Sequence, residues 1–286
     1  MEIKAKDRRL EGEGVLRQCQ LAELYILEVF HEICERHGLR YFLTFGTLIG
    51  AMRHDGFIPW DDDVDVAMPY DDFKRFVRIA KNELPKSLML ELPKFFGSHV
   101  AVSKIRDRSS FFMEKDTAGA NPSGIYIDIF PLCKSPRLPK WLNHILISGS
   151  RLAWLKAEQE RKRPHRGAAD LLVSSLMAFL WEAVLAQLLF ANWILRMVLP
   201  CRVWNYVPGN TWTSNHGITD DDLFPLCRHK FDEAQLNIPR NPDKVLAQTY
   251  SNWREMPPPE KRVWHSSIIC PAQAPDAPWA MPYGKN

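Results

Sequence analysis

Four carboxylates lie within five residues in the segment after Trp60, which reads DDDVD. Carboxylates at this spacing repel one another, so they destabilise a fold unless a cation neutralises them. A predicted strand over residues 64–68 begins in this segment. Side chains alternate along a strand, which points Asp63 and Asp65 to one face. Hard divalent cations prefer oxygen ligands, and the pair is therefore predicted to hold such a cation.

A third carboxylate, Asp128, stands alone in the apolar run 125–130, which is a second predicted strand. Burying a lone carboxylate without a partner is costly, so Asp128 must meet a cation or hydrogen-bond donors. If its strand lies beside the strand of Asp63 and Asp65, the three carboxylates converge on one metal site. The alternative is a structural role, in which Asp128 caps a neighbouring stretch of backbone.

Acidic runs have two other common explanations, a solvated loop and a calcium-binding loop. The alternation of Asp61, Asp63 and Asp65 is similar to the start of an EF-hand. That motif needs a glycine at its sharp turn and usually a glutamate at its end, where this chain has Val66 and Asp72. The EF-hand is therefore excluded, and a solvated loop stays as the alternative for the acidic run.

A glycine and a threonine, Gly46 and Thr47, precede the acidic run and follow a predicted strand over residues 41–45. Glycine has no side chain, so it lets a phosphate approach the backbone. The N–H groups at the start of the helix that follows can receive the anion. A Gly-Thr pair in this register before D-x-D indicates a phosphate-binding turn.

The stretch GTLIGAMRHDGFIPWDDDVDVAMPYDDFKRF, together with the later GIYIDIFPL, resembles the LicD family, which is similar to the fukutin-related proteins. These families fall in the nucleotidyltransferase superfamily. The resemblance covers residues 40–133 and, less fully, 223–258. It implies transfer of phosphocholine, or a similar phospho-alcohol, from a CDP-linked donor such as CDP-choline to a hydroxyl of a cell-surface glycan. The cofactor it implies is Mg²⁺ or Mn²⁺.

The resemblance also implies roles for particular residues. Asp63, Asp65 and Asp128 are expected to be both the catalytic residues and the metal ligands. Lys104 and Arg106 are two apart on one strand and are expected to bind the diphosphate, with surface cations as the alternative. Trp60 is expected to cover a quaternary ammonium, with core packing as the alternative. The full set expected to bind substrate is Gly46, Thr47, Arg53, Trp60, Asp62, Lys104 and Arg106.

The elements that must position these residues form a mixed α/β pattern, predicted as a nucleotidyltransferase-like core with a mainly helical C-terminal part. Apolar residues at three- and four-residue steps predict a helix over 13–37, closed by Gly38. Further helices are predicted over 48–53 and 71–84, and further strands over 99–105 and 125–130. The predicted division is a catalytic core over 1–140, a helical part over 141–270 and a disordered tail over 271–286.

Residues 171–195 are apolar except for one central charge, Glu182, and follow the basic stretch 151–166. A basic stretch before an apolar helix is typical of a segment that lies on an anionic membrane surface. A central carboxylate disfavours a transmembrane span. The first expectation for 171–195 is a buried core helix beside a solvated basic stretch, with peripheral membrane contact through 151–195 as the second interpretation and a true span as the third.

Composition excludes several classes of protein. The 286 residues are 46% hydrophobic and 25% charged, as in ordinary globular chains, and the net charge of +3 is too small to attract nucleic acid globally. The N-terminus has no apolar segment typical of a signal peptide, so we expect a cytoplasmic protein that contacts the inner face of the membrane. Its expected partners are the CDP-alcohol donor and a glycan acceptor, either free or lipid-linked. The rival functions are a nucleotidyltransferase with a nucleoside triphosphate donor and a Ca²⁺-stabilised binding protein.

Overall fold

The computed structural model describes residues 3–92, 102–115, 124–164, 167–206, 217–262 and 264–272. These residues form two compact units, the first within Met1–Leu92, Ser103–Phe130 and Phe224–Asn286, and the second within Pro93–Val102 and Pro131–Leu223. The predicted division follows the chain in order, whereas the first unit is assembled from three separate stretches. Of the predicted tail, residues 273–286 lie outside the described residues.

The helices are α1 (Gly14–Arg36), α2 (Phe45–His54), α3 (Tyr70–Glu83), α4 (Lys140–Lys162), α5 (Ala168–Val198), α6 (Asp220–Leu223) and α7 (Pro242–Thr249). The strands are β1 (Phe42–Leu43), β2 (Asp65–Pro69), β3 (Leu88–Glu91), β4 (Ser103–Asp107), β5 (Phe111–Glu114), β6 (Tyr126–Pro136), β7 (Cys201–Tyr206), β8 (Cys227–Phe231), β9 (Ala234–Ile238) and β10 (Ser266–Cys270). The predicted mixed α/β class is confirmed.

The first unit has a sheet in the order β1-β2-β6-β4-β3. Helix α1 contributes its apolar side chains to the buried core. Phe30 and Ile33 of α1 are fully buried, as the spacing predicts. The helix ends where Gly38 adopts a left-handed φ of 59°. The N–H of Leu39 then donates to the carbonyl of Cys34 at 2.8 Å, which satisfies a carbonyl at the helix end.

Two smaller antiparallel pairs complete the first unit, β5 with β10 and β8 with β9. None of these four strands is predicted from the sequence, because each is short and the partners of the first pair are far apart in the chain. The predicted strand over 41–45 is shorter, since Phe45 already begins α2. The predicted strand over 99–105 is β4 in its described part, and residues 99–101 lie outside the described residues.

In the second unit, α4 and α5 are long helices, as predicted for 141–200, and β6 continues to Pro136 to pair with β7. The pairs Ser174–Glu160 and Arg163–Asp170 show that α5 runs back along α4 as an antiparallel hairpin. The buried-core expectation for 171–195 is wrong within the described residues, because only 11% of the apolar stretch of α5 is buried. By length and composition alone, α5 could cross a membrane.

Candidate active site

The turn between β1 and α2 is attached to β2 at Asp65. The N–H of Asp65 donates to Thr47 Oγ1 at 2.8 Å, and the N–H of Thr44 donates to the carbonyl of Asp65 at 3.1 Å. These bonds hold the first turn of α2 beside the beginning of β2. A Cβ added to Gly46 would lie 2.9 Å from Asp61 Oδ2, so the glycine lets a carboxylate approach the start of the helix.

Asp128 lies on β6, which is the neighbour of β2 in the sheet. Its N–H donates to the carbonyl of Val64 at 2.7 Å. This contact places the strand of Asp128 beside the stretch that leads into β2, in which Asp65 is the first strand residue and Asp63 lies two residues before the strand. The structure therefore brings the three carboxylates together, while their roles as catalytic residues and metal ligands stay predictions.

Burial and mutual repulsion raise the pKa values of these carboxyl groups. Burial is the main cause at each, and the charges of Asp61, Asp63 and Asp128 raise the pKa of Asp65 further. Asp61 shares a hydrogen bond with Asp63, and its own pKa is also raised well above the usual range. The pKa of Asp128 rises to about 6. Such crowding is unfavourable in the absence of a cation.

Lys104 supplies the positive charge that the structure places against Asp128. Its Nζ lies 3.1 Å from Asp128 Oδ1 and 3.1 Å from Glu114 Oε1, and it sits 3.4 Å above the ring centroid of Tyr126. Lys104 Nζ and Asp128 Oδ1 form an ion pair. The same oxygen is buried and accepts no hydrogen bond among the described residues. Lys104 therefore neutralises the cluster only in part.

Arg106 faces the same side of β4 as Lys104, as their spacing predicts. Its guanidinium lies 4.7 Å from the ring centroid of Tyr126, pairs with Glu91, and donates to the carbonyl of Gly124 at 3.3 Å. The side chain is 8% exposed, so the surface-cation alternative does not hold for Arg106. Its contact with a diphosphate stays a prediction.

Asp62 has a different environment from its acidic neighbours, because both of its carboxylate oxygens accept hydrogen bonds from the residues at the start of β10. Oδ1 accepts from the N–H of His265 at 2.7 Å, and Oδ2 accepts from the N–H of Ser266 at 2.9 Å and from its hydroxyl at 2.5 Å. Burial alone would raise the pKa of Asp62, but these bonds outweigh it and lower the pKa. The geometry favours a structural role over the predicted substrate contact.

Replacing Asp62 with alanine is therefore expected to lower the free energy of unfolding by about 3 kcal/mol, because two backbone N–H groups lose a charged acceptor. Urea unfolding of the variant measures this loss. Asp62→Asn keeps one acceptor oxygen and should lose less. The matched control is Asp71→Ala, since the Asp71 side chain is 85% exposed. Equal stability of the Asp62→Ala and Asp71→Ala proteins would contradict the structural role.

Two other predicted substrate contacts already have partners in the chain. Arg53 donates to the carbonyls of Trp253 and Glu255 at 3.1 and 3.0 Å, so it holds the turn after α7. The guanidinium of Arg262 lies 4.3 Å from the ring centroid of Trp60. Trp60 therefore does meet a cation through its ring, but that cation belongs to the chain. Substrate binding by either residue stays a prediction.

Sequence reasoning missed four residues around the acidic cluster. Glu23 of α1 is fully buried, and the charges of Asp61, Asp62 and Asp63 are among the causes that raise its pKa after burial. The pKa of Tyr250 is raised by burial and then by the same cluster. Two of the four had a signal in the sequence, since Asp61 belongs to the acidic run and Tyr250 to the stretch 223–258 that shares the family resemblance, but neither residue was expected at the site. The four missed residues are Glu23, Asp61, Tyr250 and His265.

His265 is the cation nearest to the acidic run on the side of β10. Its Nδ1 lies 3.2 Å from Asp62 Oδ1 and 3.6 Å from Asp63 Oδ2. The hydrogen bond to Asp62, followed by the charge of Asp63, raises its pKa to about 9 against the opposing effect of burial. The imidazole is therefore protonated near neutral pH. One donor atom each of Asp61, Asp62 and His265 lie within 4.8 Å of one another, but a protonated imidazole is a poor metal ligand.

The remaining carboxylates fit a hard divalent cation better. Asp61, Asp63, Asp65 and Asp128 offer only oxygen donors, which suits Mg²⁺ or Mn²⁺. Burial and mutual repulsion raise the pKa values of all four carboxyl groups, although Lys104 already lies 3.1 Å from Asp128 Oδ1, so a further cation would stabilise their charged forms. The residues present therefore fit the metal that the sequence predicts.

Comparison with known proteins gives similarities at two scales. A family model described as LicD/FKTN/FKRP, nucleotidyltransferase domain, matches residues 38–162. The lipopolysaccharide cholinephosphotransferase LicD of Haemophilus influenzae is 28% identical over 272 residues, which are 87% of this chain and 95% of that protein. Human ribitol 5-phosphate transferase FKRP is 48% identical over 40 residues, 14% of this chain and 8% of that protein.

Proposed function

We propose that this protein is a phosphotransferase of the LicD family, whose nucleotidyltransferase domain model matches residues 38–162. It transfers phosphocholine, or a similar phospho-alcohol, from a CDP-linked donor to a hydroxyl of a cell-surface glycan, with Mg²⁺ as its cofactor. The observation that carries the proposal is the cluster of the buried Asp65 with the half-buried Asp63 and Asp128 beside the first turn of α2. The long similarity to a lipopolysaccharide cholinephosphotransferase supports the substrate class.

Different residues of the site are proposed to bind the metal and the phosphates of the donor. Asp63, Asp65 and Asp128 hold the Mg²⁺, which when bound neutralises charge on the donor's phosphates. The first turn of α2 presents backbone N–H groups to a phosphate, with Gly46 giving close access. Thr47 fixes that turn against β2 through the N–H of Asp65.

Lys104 and Arg106 carry the diphosphate on the β4 side of the site. Both cations lie against the Tyr126 ring, with Lys104 Nζ 3.4 Å and the Arg106 guanidinium 4.7 Å from its centroid. Lys104 exchanges part of its contact with Asp128 for a phosphate oxygen when the donor enters. Charge-assisted bonds of this kind are shorter and stronger than neutral ones, which favours the leaving nucleotide as its charge develops.

In the transfer step, the glycan hydroxyl displaces CMP from the phosphorus that bears choline. The oxygen of the glycan hydroxyl forms a bond to the phosphorus that bears choline, and the bond from that phosphorus to the bridging oxygen breaks. CMP leaves with the electron pair. The carboxylate of Asp128 accepts the proton of the hydroxyl.

A donor screen tests this function directly. CDP-choline, CDP-ribitol, CDP-glycerol and CTP are supplied separately with Mg²⁺ and a lipopolysaccharide or teichoic acid acceptor, while CMP and pyrophosphate are measured. Release of CMP from a CDP-alcohol without pyrophosphate is the expected result. Pyrophosphate release from CTP would instead support a nucleotidyltransferase with a triphosphate donor. Metal-dependent stability without turnover of any donor would support a Ca²⁺-stabilised binding protein.

A nucleotide donor that is made in the cytoplasm would place the reaction on that side of the membrane. The cytoplasmic location predicted from the sequence stays a proposal, as does the lipid-linked nature of the acceptor. Fractionation of cells that express the full chain, with CDP-choline turnover as the readout, tests the location.

A further inference from the structure

Helix α5 exposes far more apolar surface than a helix of a soluble protein. Phe179 is 65% exposed and Phe190 is 60% exposed among the described residues. Leu172 is also exposed, and these three residues follow one another at steps of seven and eleven, which return to the same side of a helix. Other large apolar residues of α5 that are exposed are Leu171, Val173, Leu176, Met177, Leu180, Val184, Leu189, Trp193, Ile194, Met197 and Val198.

The side of α5 that is covered is the side that meets α4. Ser174 Oγ donates to the carbonyl of Glu160 at 2.7 Å, and Ser174 and Ala178 are buried. A Cβ on Gly149 of α4 would lie 3.2 Å from Leu188 Cδ1 of α5. Only one side of α5 is used in this way. The exposed apolar residues lie on the remaining sides, where the second unit offers no described partner.

The single central charge of α5 does not prevent contact with lipid. Glu182 pairs with Arg161 of α4, so its charge is neutralised within the hairpin. An isolated carboxylate would be costly in an apolar environment, whereas a paired one is less so. The hairpin thus combines exposed apolar residues on α5 with charged side chains on α4.

The charges of α4 decide how the hairpin meets a bilayer. The exposed side chains of Lys156, Arg161 and Lys162 run beside the first half of α5, where Arg161 also pairs with Glu182 and Lys162 with Glu158. If α5 crossed the bilayer, these side chains would enter the hydrocarbon at the same depth, which is costly. A hairpin that lies in the plane of the membrane keeps them at the headgroups instead. The basic residues also complement anionic lipid.

We propose that the α4–α5 hairpin docks on the surface of an anionic lipid bilayer. The apolar side of α5 enters the interface between headgroups and acyl chains, and the basic residues of α4 contact the anionic headgroups. The hairpin shares no residue with the carboxylate cluster, so this inference is independent of the donor proposed above, and lipid binding is measured without turnover.

Flotation of the full chain with liposomes tests the docking surface. The protein should float with vesicles of phosphatidylethanolamine and phosphatidylglycerol, bind phosphatidylcholine vesicles much less, and dissociate in 1 M salt, where the Debye length is about 3 Å. Phe179→Glu combined with Phe190→Glu should weaken binding on the order of a hundredfold. Both side chains are exposed, so circular dichroism and melting temperature should be unchanged.

Matched variants separate the apolar from the electrostatic contribution. Lys156→Gln with Lys162→Gln should weaken binding to anionic vesicles about twenty-fivefold, since each basic residue near such a surface contributes about fivefold. The controls are Leu10→Glu, at a leucine that is 76% exposed outside the hairpin, and Lys81→Gln with Lys86→Gln; all should bind as wild type does.

Three outcomes would overturn the proposal. Binding that resists both salt and alkaline carbonate extraction would show that α5 spans the membrane. A dimer that dissociates in the Phe179→Glu/Phe190→Glu protein and does not bind vesicles would show that a second copy covers this side of α5. Equal binding to anionic and neutral vesicles would exclude the headgroup contact of α4.

Discussion

The Asp65→Asn protein is expected to lose phosphocholine transfer by a factor on the order of a thousand, while its fold is retained. Asp65 is buried, and its carboxyl group is destabilised by burial and by the charges of Asp63 and Asp128. Asparagine has nearly the same shape but supplies a neutral oxygen, so the site loses charge that a divalent cation requires. Losses of this size are typical when charge stabilisation of a transition state is removed.

The same substitution should raise the melting temperature of the metal-free protein, because it removes one of several repelling carboxylates. Initial rates with CDP-choline and thermal unfolding in EDTA measure the two effects on one sample. Asp71→Asn is the matched control, since this exposed aspartate lies on α3 and should change neither quantity. Activity of Asp65→Asn within tenfold of wild type would refute the site, and a similar loss is expected for Asp63→Asn.

The Asp128→Asn protein is expected to fold normally but to need much more Mg²⁺, with transfer reduced on the order of a hundredfold. Lys104 keeps its contact with Glu114 in this variant, so the lysine is not left without an acceptor. Metal titration of turnover measures the change. A large drop in melting temperature with an unchanged Mg²⁺ requirement would show instead that Asp128 is structural. Replacing Asp243, which is exposed at the start of α7, with asparagine is the control.

The pH dependence of stability gives Asp128 a second test. Its folded pKa of about 6 lies above the ordinary value of 3.8, so the folded protein binds this proton more tightly than the unfolded chain. The stabilisation is complete below pH 3.8 and is lost as the pH rises through 6. In EDTA, the melting temperature of the Asp128→Asn protein should therefore increase relative to that of wild type as the pH rises from 5 to 8. A constant difference across this range would contradict the raised pKa.

Much of the fold was predictable because its signals are local. The apolar spacing of α1 and the stop at Gly38 need only neighbouring residues, and both are confirmed. The pairing of β5 with β10 was not predictable, because it joins residues more than 150 positions apart. Strand partners at that distance are chosen by packing and by side-chain acceptors such as Asp62, which leave no periodic pattern in the sequence.

The candidate site divides in the same way. The sequence alone determined which residues carry negative charge and that the chain resembles the LicD family, while the shared face of Asp63 and Asp65 stays a prediction because Asp63 precedes β2. Only the tertiary structure decided that Asp128 meets Lys104, that Asp62 holds the start of β10, and that His265 lies beside the acidic run. It also decided that α5 is exposed rather than buried. Residue types and spacing determine local geometry and charge, whereas burial and ion pairing depend on which distant segments pack together.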